Sequence, residues 1–318
     1  MTHPVLAQLA ATADRPGPVV MGVVNVTPDS FSDGGRWIES DAAVAHGRQL
    51  VADGALVVDV GGESTRPGAT RPSTDEELRR VVPVVEALAA EGVLVSVDTM
   101  RAEVAEAALA AGGAIINDVS GGLADPQMPD LVARSGAPFV VMHWRGHAHD
   151  MQTRAHYDDV VGEVCSELTE RVDALLAAGA DREQLVLDPG IGFAKTAEHN
   201  WQLLAGLEQV VDLGYPVLLG TSRKGFLGKV GRAEGQERAL DARAVVTAAT
   251  SARAARAGVW CVRVHDVVAT VDAIDVAAAL GEVRSLRDGR CATSSGSGEI
   301  GRCATSSGNG ESGQGERR

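Results

Sequence analysis

Eight short apolar runs recur along the chain, at 19–26, 56–60, 93–97, 114–116, 139–142, 185–187, 217–219 and 259–264. All but the first follow closely on a glycine: Gly54, Gly92, Gly112, Gly136, Gly179, Gly214 and Gly258. The runs are rich in Val, Ile and Leu and do not alternate with polar residues, as expected of parallel strands covered on both faces. A glycine just past a helix suits the left-handed turn that ends it. The segments between the runs have a period near that of a helix: Leu78, Val81, Val82, Val85 and Leu88 form one apolar stripe, and Val160, Val164, Leu168, Val172 and Leu175 another. Thr74 and Glu77 have the spacing of a capping box at the start of the first. Eight strand–helix units over about 265 residues predict an α/β fold of the (β/α)8 barrel type, for which roughly 250 residues is usual. An open doubly wound sheet is the alternative, and it requires a Gly-rich dinucleotide loop after the first strand that the chain lacks.

Each run stops at or near a polar residue: Asn25, Asp59, Asp98, Asn117, His143, Asp188, Ser222, and Arg263 with His265. The connections into the runs are short, whereas long polar loops follow them, notably at 27–39 and 63–73. Barrel enzymes build their sites from strand-to-helix loops, so the chemistry is expected on that rim.

The pattern also divides the chain. Residues 1–18 read as an N-terminal arm or short lead-in helix, 19–284 as the barrel, and 285–318 as a Gly/Ser-rich tail. The tail repeats GRCATSSG at 289 and 301 and cannot bury a core, so it is expected to be disordered. Cys291 and Cys303 occupy equivalent repeat positions and are read as part of that duplication; Cys165 and Cys261 fall in a helix stripe and a strand and are read as reduced core residues.

Composition narrows the function classes. The chain has 318 residues, 45% hydrophobic and 23% charged, with a formal net charge of −14. No apolar stretch approaches the roughly 20 residues of a membrane span, and residues 1–18 lack the pattern of a signal peptide. A cytoplasmic enzyme is therefore expected. The acidic balance argues against nucleic acid or an anionic membrane as partner, but not against a small anion held by locally clustered cations.

The rim residues supply such a cluster. Asn25 offers a neutral oxygen to a cation, and Asp29 lies on the loop that follows, although turn chemistry uses the same residue types. Gly61 and Gly62 permit close backbone approach, and Arg66 beyond them suits a carboxylate or phosphate. Asp98, Asn117 and Asp188 can converge on one flat heterocycle, the carboxylates accepting from its N–H groups. Ser222, Lys224, Arg263 and His265 close the series at strands seven and eight, the frequent phosphate site of this barrel, which implies a phosphorylated substrate. His143, His147, His149 and His156 invite a zinc reading, but the first three lie in one loop without Cys partners, and His143 reads equally as a structural strand end.

The ordered strings carry a resemblance. NVTPDSFSDGG at 25–35, DVGGESTRPG at 59–68, SVDT at 96–99, INDVSG at 116–121, MHW at 142–144, LDPGIGFAKT at 187–196, SRK at 222–224 and RVHD at 263–266 make residues 19–282 similar to the dihydropteroate synthase family. That resemblance implies a transferase of folate biosynthesis that condenses 6-hydroxymethyl-7,8-dihydropterin diphosphate with 4-aminobenzoate. It assigns the pterin to Asp98, Asn117, Asp188, Lys224 and Arg263; the diphosphate to Asn25, Arg263 and His265; and the aminobenzoate to Thr65, Arg66, Pro67, Phe193 and Ser222. Asp29, Lys224 and Arg263 take the catalytic roles, and Mg2+ bridges the diphosphate at Asn25. It further implies a homodimer formed through outer barrel helices and competition by sulfonamides. A pterin-dependent methyltransferase and a non-catalytic pterin-binding protein are the alternatives; the first needs a cobalamin partner absent from this chain.

Overall fold

The computed structural model describes residues 3–12, 16–27, 36–63, 71–147 and 151–293, without the side chains at 10, 12, 36–39 and 282–293. After a helix α1 (Pro4–Thr12), the chain alternates strands and helices: β1 (Val19–Asn25), α2 (Arg36–Ala52), β2 (Val57–Gly61), α3 (Thr74–Ala90), β3 (Val95–Asp98), α4 (Ala102–Ala110), β4 (Ile115–Asp118) and α5 (Met128–Ser135). It continues with β5 (Phe139–Met142), α6 (Val160–Ala177), β6 (Leu185–Asp188), α7 (Ala197–Ala205), α8 (Leu207–Val211), β7 (Leu218–Leu219), α9 (Gly225–Lys229), α10 (Ala244–Ala257), β8 (Cys261–Val264) and α11 (Val267–Thr293). All pairings are parallel, in the order β6-β5-β4-β3-β2-β1-β8-β7. A parallel bridge between Leu187 and Val217, with the Leu187 N–H donating to Pro216 O at 2.8 Å, closes the ring into a (β/α)8 barrel. The seven glycines ahead of the strands all have positive φ, from 64° to 109°. Gly136 and Gly258 are left-handed caps of α5 and α10, a conformation that a Cβ disfavours.

The lack of alternation has a simple cause. Successive strand residues point to opposite faces, and here both faces are dry. Val20, Val58, Val60, Val97 and Ile116 face the helices, where Val81, Val85, Leu88, Val164 and Leu168 meet them. Val19, Met21, Val57, Ile115, Val140, Val186, Leu218 and Cys261 fill the barrel interior, capped from below by Leu6 and Leu9 of α1. On the even strands the interior then turns polar two residues later: Val57 gives way to Asp59, Ile115 to Asn117, Val186 to Asp188 and Cys261 to Arg263. That step is where the core ends and the site begins.

The sequence pattern misplaces one helix face. The buried stripe of α3 is Glu77, Val81, Val84, Val85 and Leu88, with Leu78 and Val82 at its margins, and the helix is capped by Ser73, whose side chain accepts from Glu76 N–H. Glu77 is no capping-box partner of Thr74. It is fully buried, accepts from Thr99 Oγ1 at 2.5 Å and pairs with Arg101. Arg101 also donates to Glu63 at 3.4 Å and Pro72 O at 2.6 Å, so a charge stands where an apolar residue is expected because a cation from the next unit neutralises it. Breaking a buried pair from one side costs about 3–5 kcal/mol. Arg101→Met is expected to lose that much in urea unfolding, with Glu77→Gln restoring most of it in the double variant; a loss under ~1 kcal/mol, as for exposed pairs, would show that the pair is not coupled to folding.

The described residues up to 279 form one compact unit, and those from 280 belong to a second, described to Thr293. Cys261 is buried and Cys165 half-buried, both as free thiols. Among the described residues no helix is long and apolar enough to cross a membrane.

Candidate active site

The polar layer is tied together by one guanidinium. Arg263 Nε donates to Asp59 Oδ2 at 2.6 Å, and its Nη2 donates to Asp98 Oδ2 at 2.6 Å. Asn117 Nδ2 donates to the same Asp59 oxygen at 3.0 Å, which turns the Asn117 amide by a fixed contact. Asp188, at the end of β6, accepts from Gly190 N–H at 2.7 Å. Asp59 Oδ1 and Ser96 Oγ, register neighbours on β2 and β3, are buried without a hydrogen-bond partner among the described residues.

Burial sets the protonation of this layer. It pushes the Asp188 carboxyl up to about 6, against the Gly190 N–H bond and the charges of Lys224, Lys195 and Arg263. Asp98 is likewise raised, chiefly by burial, with Arg263 opposing and Asp59, Glu77 and Asp118 adding to the rise. Burial lowers the Lys224 ammonium to about 8, while Asp188 holds it up. Burial also acts to lower Arg263, but the carboxylates of Asp59 and Asp98 outweigh it and keep the guanidinium charged.

Above the layer opens a cavity of about 700 Å³, and Asn25, Asp98, Phe193, Ser222, Lys224, Arg263 and His265 all lie on its wall. Asn117 joins the polar layer through Asp59, and Asp188 through the charges of Lys224 and Arg263; neither is part of the cavity wall. Asp29, Thr65, Arg66 and Pro67 lie outside the described residues. Lys224 Nζ sits 3.8 Å from the centre of the Phe193 ring, a cation–π contact that brings the sixth and seventh loops together. Gly192, at φ +81°, makes room for it, since a Cβ there would come within 2.9 Å of Lys224 Cδ. Ser222 and His265, assigned to different substrates from sequence, are bonded to each other: Ser222 Oγ lies 2.9 Å from His265 Nδ1 and accepts from His265 N–H at 3.1 Å.

Two groups escaped the sequence reading of the site. Asp59 was visible as a strand end, and only its inward face, shared with Arg263, makes it part of the layer. Lys195 was hidden inside the LDPGIGFAKT string. It is buried on the cavity side, with Nζ 2.9 Å from His143 Nδ1, 3.1 Å from Gly190 O and 3.2 Å from Phe193 O. Burial lowers its ammonium to about 7, with Asp188 opposing. Burial and the Lys195 charge lower His143 to about 4, so the imidazole is neutral; its Nε2–H donates to Glu167 at 3.0 Å and its Nδ1 accepts from Lys195. His143 is thus a strand-end residue joined to β6. His149 lies outside the described residues, and among those described no group of three His, Cys, Asp or Glu residues could hold a metal.

A closed barrel with carboxylates, an amide and two cations beneath one rim cavity defines an enzyme site for a polar heterocycle. The family described as pterin binding enzyme matches residues 21–265, and the chain belongs to it. It is 55% identical over 262 residues to the dihydropteroate synthase of Mycobacterium leprae, covering 82% of this chain and 92% of that protein. The structure of Xanthomonas albilineans dihydropteroate synthase with 4-aminobenzoic acid superposes with a TM-score of 0.77 at 48% identity, covering 84% of this chain and 94% of that one. A second structure from the same organism, in complex with 7,8-dihydropteroate, gives 0.74 at 45% identity, covering 85% and 95%.

Proposed function

We infer that the chain catalyses the dihydropteroate synthase reaction, condensing 6-hydroxymethyl-7,8-dihydropterin diphosphate with 4-aminobenzoate to 7,8-dihydropteroate and diphosphate. The observation that carries this is the layer of Asp98, Asn117 and Asp188 beneath Lys224 and Arg263, in a chain 55% identical to a synthase. The carboxylates accept from the amino and ring N–H groups of the pterin, and the Asn117 amide completes the in-plane contacts. Lys224 donates to the pterin oxygen or ring nitrogen, and Arg263 covers the ring face, where a guanidinium stacks well.

The reaction then follows from charge. The C–O bond at the pterin methylene breaks, and the electron pair leaves with the diphosphate, whose growing negative charge faces Arg263 and His265. The dihydropterin delocalises the positive charge left on the methylene carbon. The aminobenzoate nitrogen attacks that carbon with its lone pair and then loses one proton to solvent, which balances the diphosphate released. Phe193 and Ser222 border the aminobenzoate, together with Thr65, Arg66 and Pro67 in the roles that the resemblance gives them, and Asp29 stabilises the cationic carbon. No covalent intermediate with the protein is needed.

The donor set suits Mg2+ only as an ion shared with substrate. Asn25 provides a single neutral oxygen on the cavity wall, where Mg2+ usually has one or two carboxylates beside several waters and substrate phosphates, so the ion would rest chiefly on the diphosphate. When bound, the ion supplies charge to the leaving diphosphate. We assign Asn25 as its protein ligand.

Diphosphate release from the pterin diphosphate, measured with and without 4-aminobenzoate, in Mg2+ and then in chelator, tests the reading. Product is expected only with both substrates, and chelation is expected to slow it. Absence of any aminobenzoate-dependent product would sink the assignment. The proposal extends to a cytoplasmic homodimer, for which sedimentation velocity should give twice the 32.9 kDa chain mass.

A further inference from the structure

His143 and Lys195 form a buried pair that the chemistry above leaves unused, on the wall that carries Phe193. The Lys195 ammonium has three N–H bonds and meets three acceptors: His143 Nδ1 on the β5 side, and the carbonyls of Gly190 and Phe193 in the β6 loop. Nothing of its donor capacity is left over for a ligand. The Lys195 charge is instead spent within the wall, and the residue it grips by the backbone is the one whose ring packs on Lys224.

The surroundings make this grip specific. Ala194, next to Phe193, has φ +47°, a left-handed conformation that a non-glycine residue holds only when its neighbours impose it. Lys195 binds the carbonyl on one side of that strained residue, and Tyr157 Oη donates to Ala194 O at 3.1 Å. Gly190, at φ +66°, lies so close to the strand end that a Cβ would come within 2.4 Å of His143 O. The His143 N–H donates to Asp188 O at 2.9 Å, so the same strand end also fixes the backbone of the pterin carboxylate. Glu167, itself held by Arg145, accepts from His143 Nε2–H and keeps Nδ1 aimed at Lys195.

We propose that Lys195 is a positioning residue for the aminobenzoate side of the site: through its bonds to His143 Nδ1, Gly190 O and Phe193 O it fixes the turn that sets the Phe193 ring against Lys224. This rests on the assignment of Phe193 to the aminobenzoate position. Lys195 touches no substrate in this scheme. Its removal therefore acts on the second substrate more than on the pterin: of the pterin contacts at Asp98, Asn117, Asp188, Lys224 and Arg263 it reaches Asp188 through charge and Lys224 through the Phe193 ring, and hydrogen-bonds to none of these side chains.

Lys195→Met keeps the length of the stem and removes all three donors. Steady-state kinetics at saturating pterin diphosphate should show the aminobenzoate KM raised about tenfold or more, as a misplaced positioning wall does. The dissociation constant of pterin diphosphate, measured by calorimetry without aminobenzoate at pH 7.5, where Asp188 is ionised and Lys195 carries only part of its charge, should stay within about threefold. Phe193→Ala runs alongside and should raise the same KM. If Phe193→Ala leaves it unchanged, the assignment of Phe193 fails and the proposal falls with it. If Phe193→Ala raises it and Lys195→Met does not, or if Lys195→Met weakens pterin binding as much as aminobenzoate use, the role of Lys195 alone is overturned. Should Lys195→Met not fold, the bond is tested from its other end. His143→Leu removes the acceptor and should raise the aminobenzoate KM, whereas His143→Asn offers an acceptor oxygen in place of Nδ1 and should stay within about threefold of wild type. Equal values for the two variants overturn the proposal.

Discussion

Arg263→Met is expected to lower kcat/KM by about 10³-fold or more, the scale on which loss of a preorganised charge at a developing anion is felt. The size of the effect comes from three consequences of one change. The leaving diphosphate loses a cation held in place by two carboxylates at 2.6 Å. Asp98 loses the charge that opposes its burial, so its already raised carboxyl rises further and at neutral pH becomes a donor where the pterin needs an acceptor. Asp59, fully buried and with one oxygen unpartnered among the described residues, keeps among those residues the Asn117 amide alone on the other. Lysine does not repair this. A single ammonium cannot reproduce the planar fork that reaches Asp59 through Nε and Asp98 through Nη2. Arg263→Lys should therefore remain about 10²-fold below wild type, the cost of misplacing a catalytic contact by roughly an ångström. Steady-state kinetics with each substrate varied decides it: near-wild-type kcat/KM in Arg263→Lys would mean that only charge, not the two-carboxylate geometry, matters.

How far the sequence discloses this site depends on which interactions are local. The barrel is legible because seven of the eight strands are announced by a glycine and each ends at or near a polar residue, features within a few residues of one another. The relatives confirm the family that the ordered strings suggest, and the cavity gathers Asn25, Asp98, Phe193, Ser222, Lys224, Arg263 and His265 on one wall. What stays hidden is pairing across the barrel. Asp59 and Arg263 are 204 residues apart, and no periodicity tells that both point inward to the same level. The apolar runs conceal their own inward face, because Val57 and Val58 look alike although one fills the barrel and the other meets helices. Glu77 shows the same limit on a helix. Its charge marks it as solvated by pattern alone, and only Arg101 and Thr99, from the unit that follows, make its burial tolerable. Lys195 stood in plain view within a recognised string, yet its role depends on His143, 52 residues upstream. The assignments of Asp29, Thr65, Arg66 and Pro67 rest on the resemblance, since these residues lie outside the described parts of the chain.

Asp188 should show function and stability pulling in opposite directions. Its ionised carboxylate is the acceptor for pterin N–H groups, and charge-assisted hydrogen bonds contribute about 1.5–3 kcal/mol each. With two such bonds lost, Asp188→Ala should weaken pterin diphosphate binding by about 10²- to 10⁴-fold. In the wild type, affinity should fall on the acid side as Asp98 and Asp188, raised by burial to about 7 and about 6, take up protons, and on the alkaline side as Lys224 loses its proton near about 8. The optimum therefore lies between about 7 and about 8, and Asp188→Asn should remove the lower step of the acid limb while leaving the step of Asp98. Stability follows the reverse sign. The folded-state pKa of Asp188 is raised above its ordinary 3.8, so the folded protein binds the proton more tightly than the unfolded chain between roughly 4 and 6. This group's contribution thus improves as pH falls through about 6 and is lost as pH rises above it. A shift of about two units corresponds to roughly 3 kcal/mol spent on keeping an ionised carboxylate buried. Asp188→Asn, neutral at every pH and still able to accept from Gly190 N–H, should therefore be more stable than wild type at pH 7.5, with the difference closing toward pH 4. Urea unfolding of the two proteins across that range, set beside calorimetric titration with pterin diphosphate, measures both trends. A wild type more stable than Asp188→Asn at pH 7.5 would show that Asp188 stabilises the empty fold, and that the cost of holding its charge ready for the pterin is not borne there.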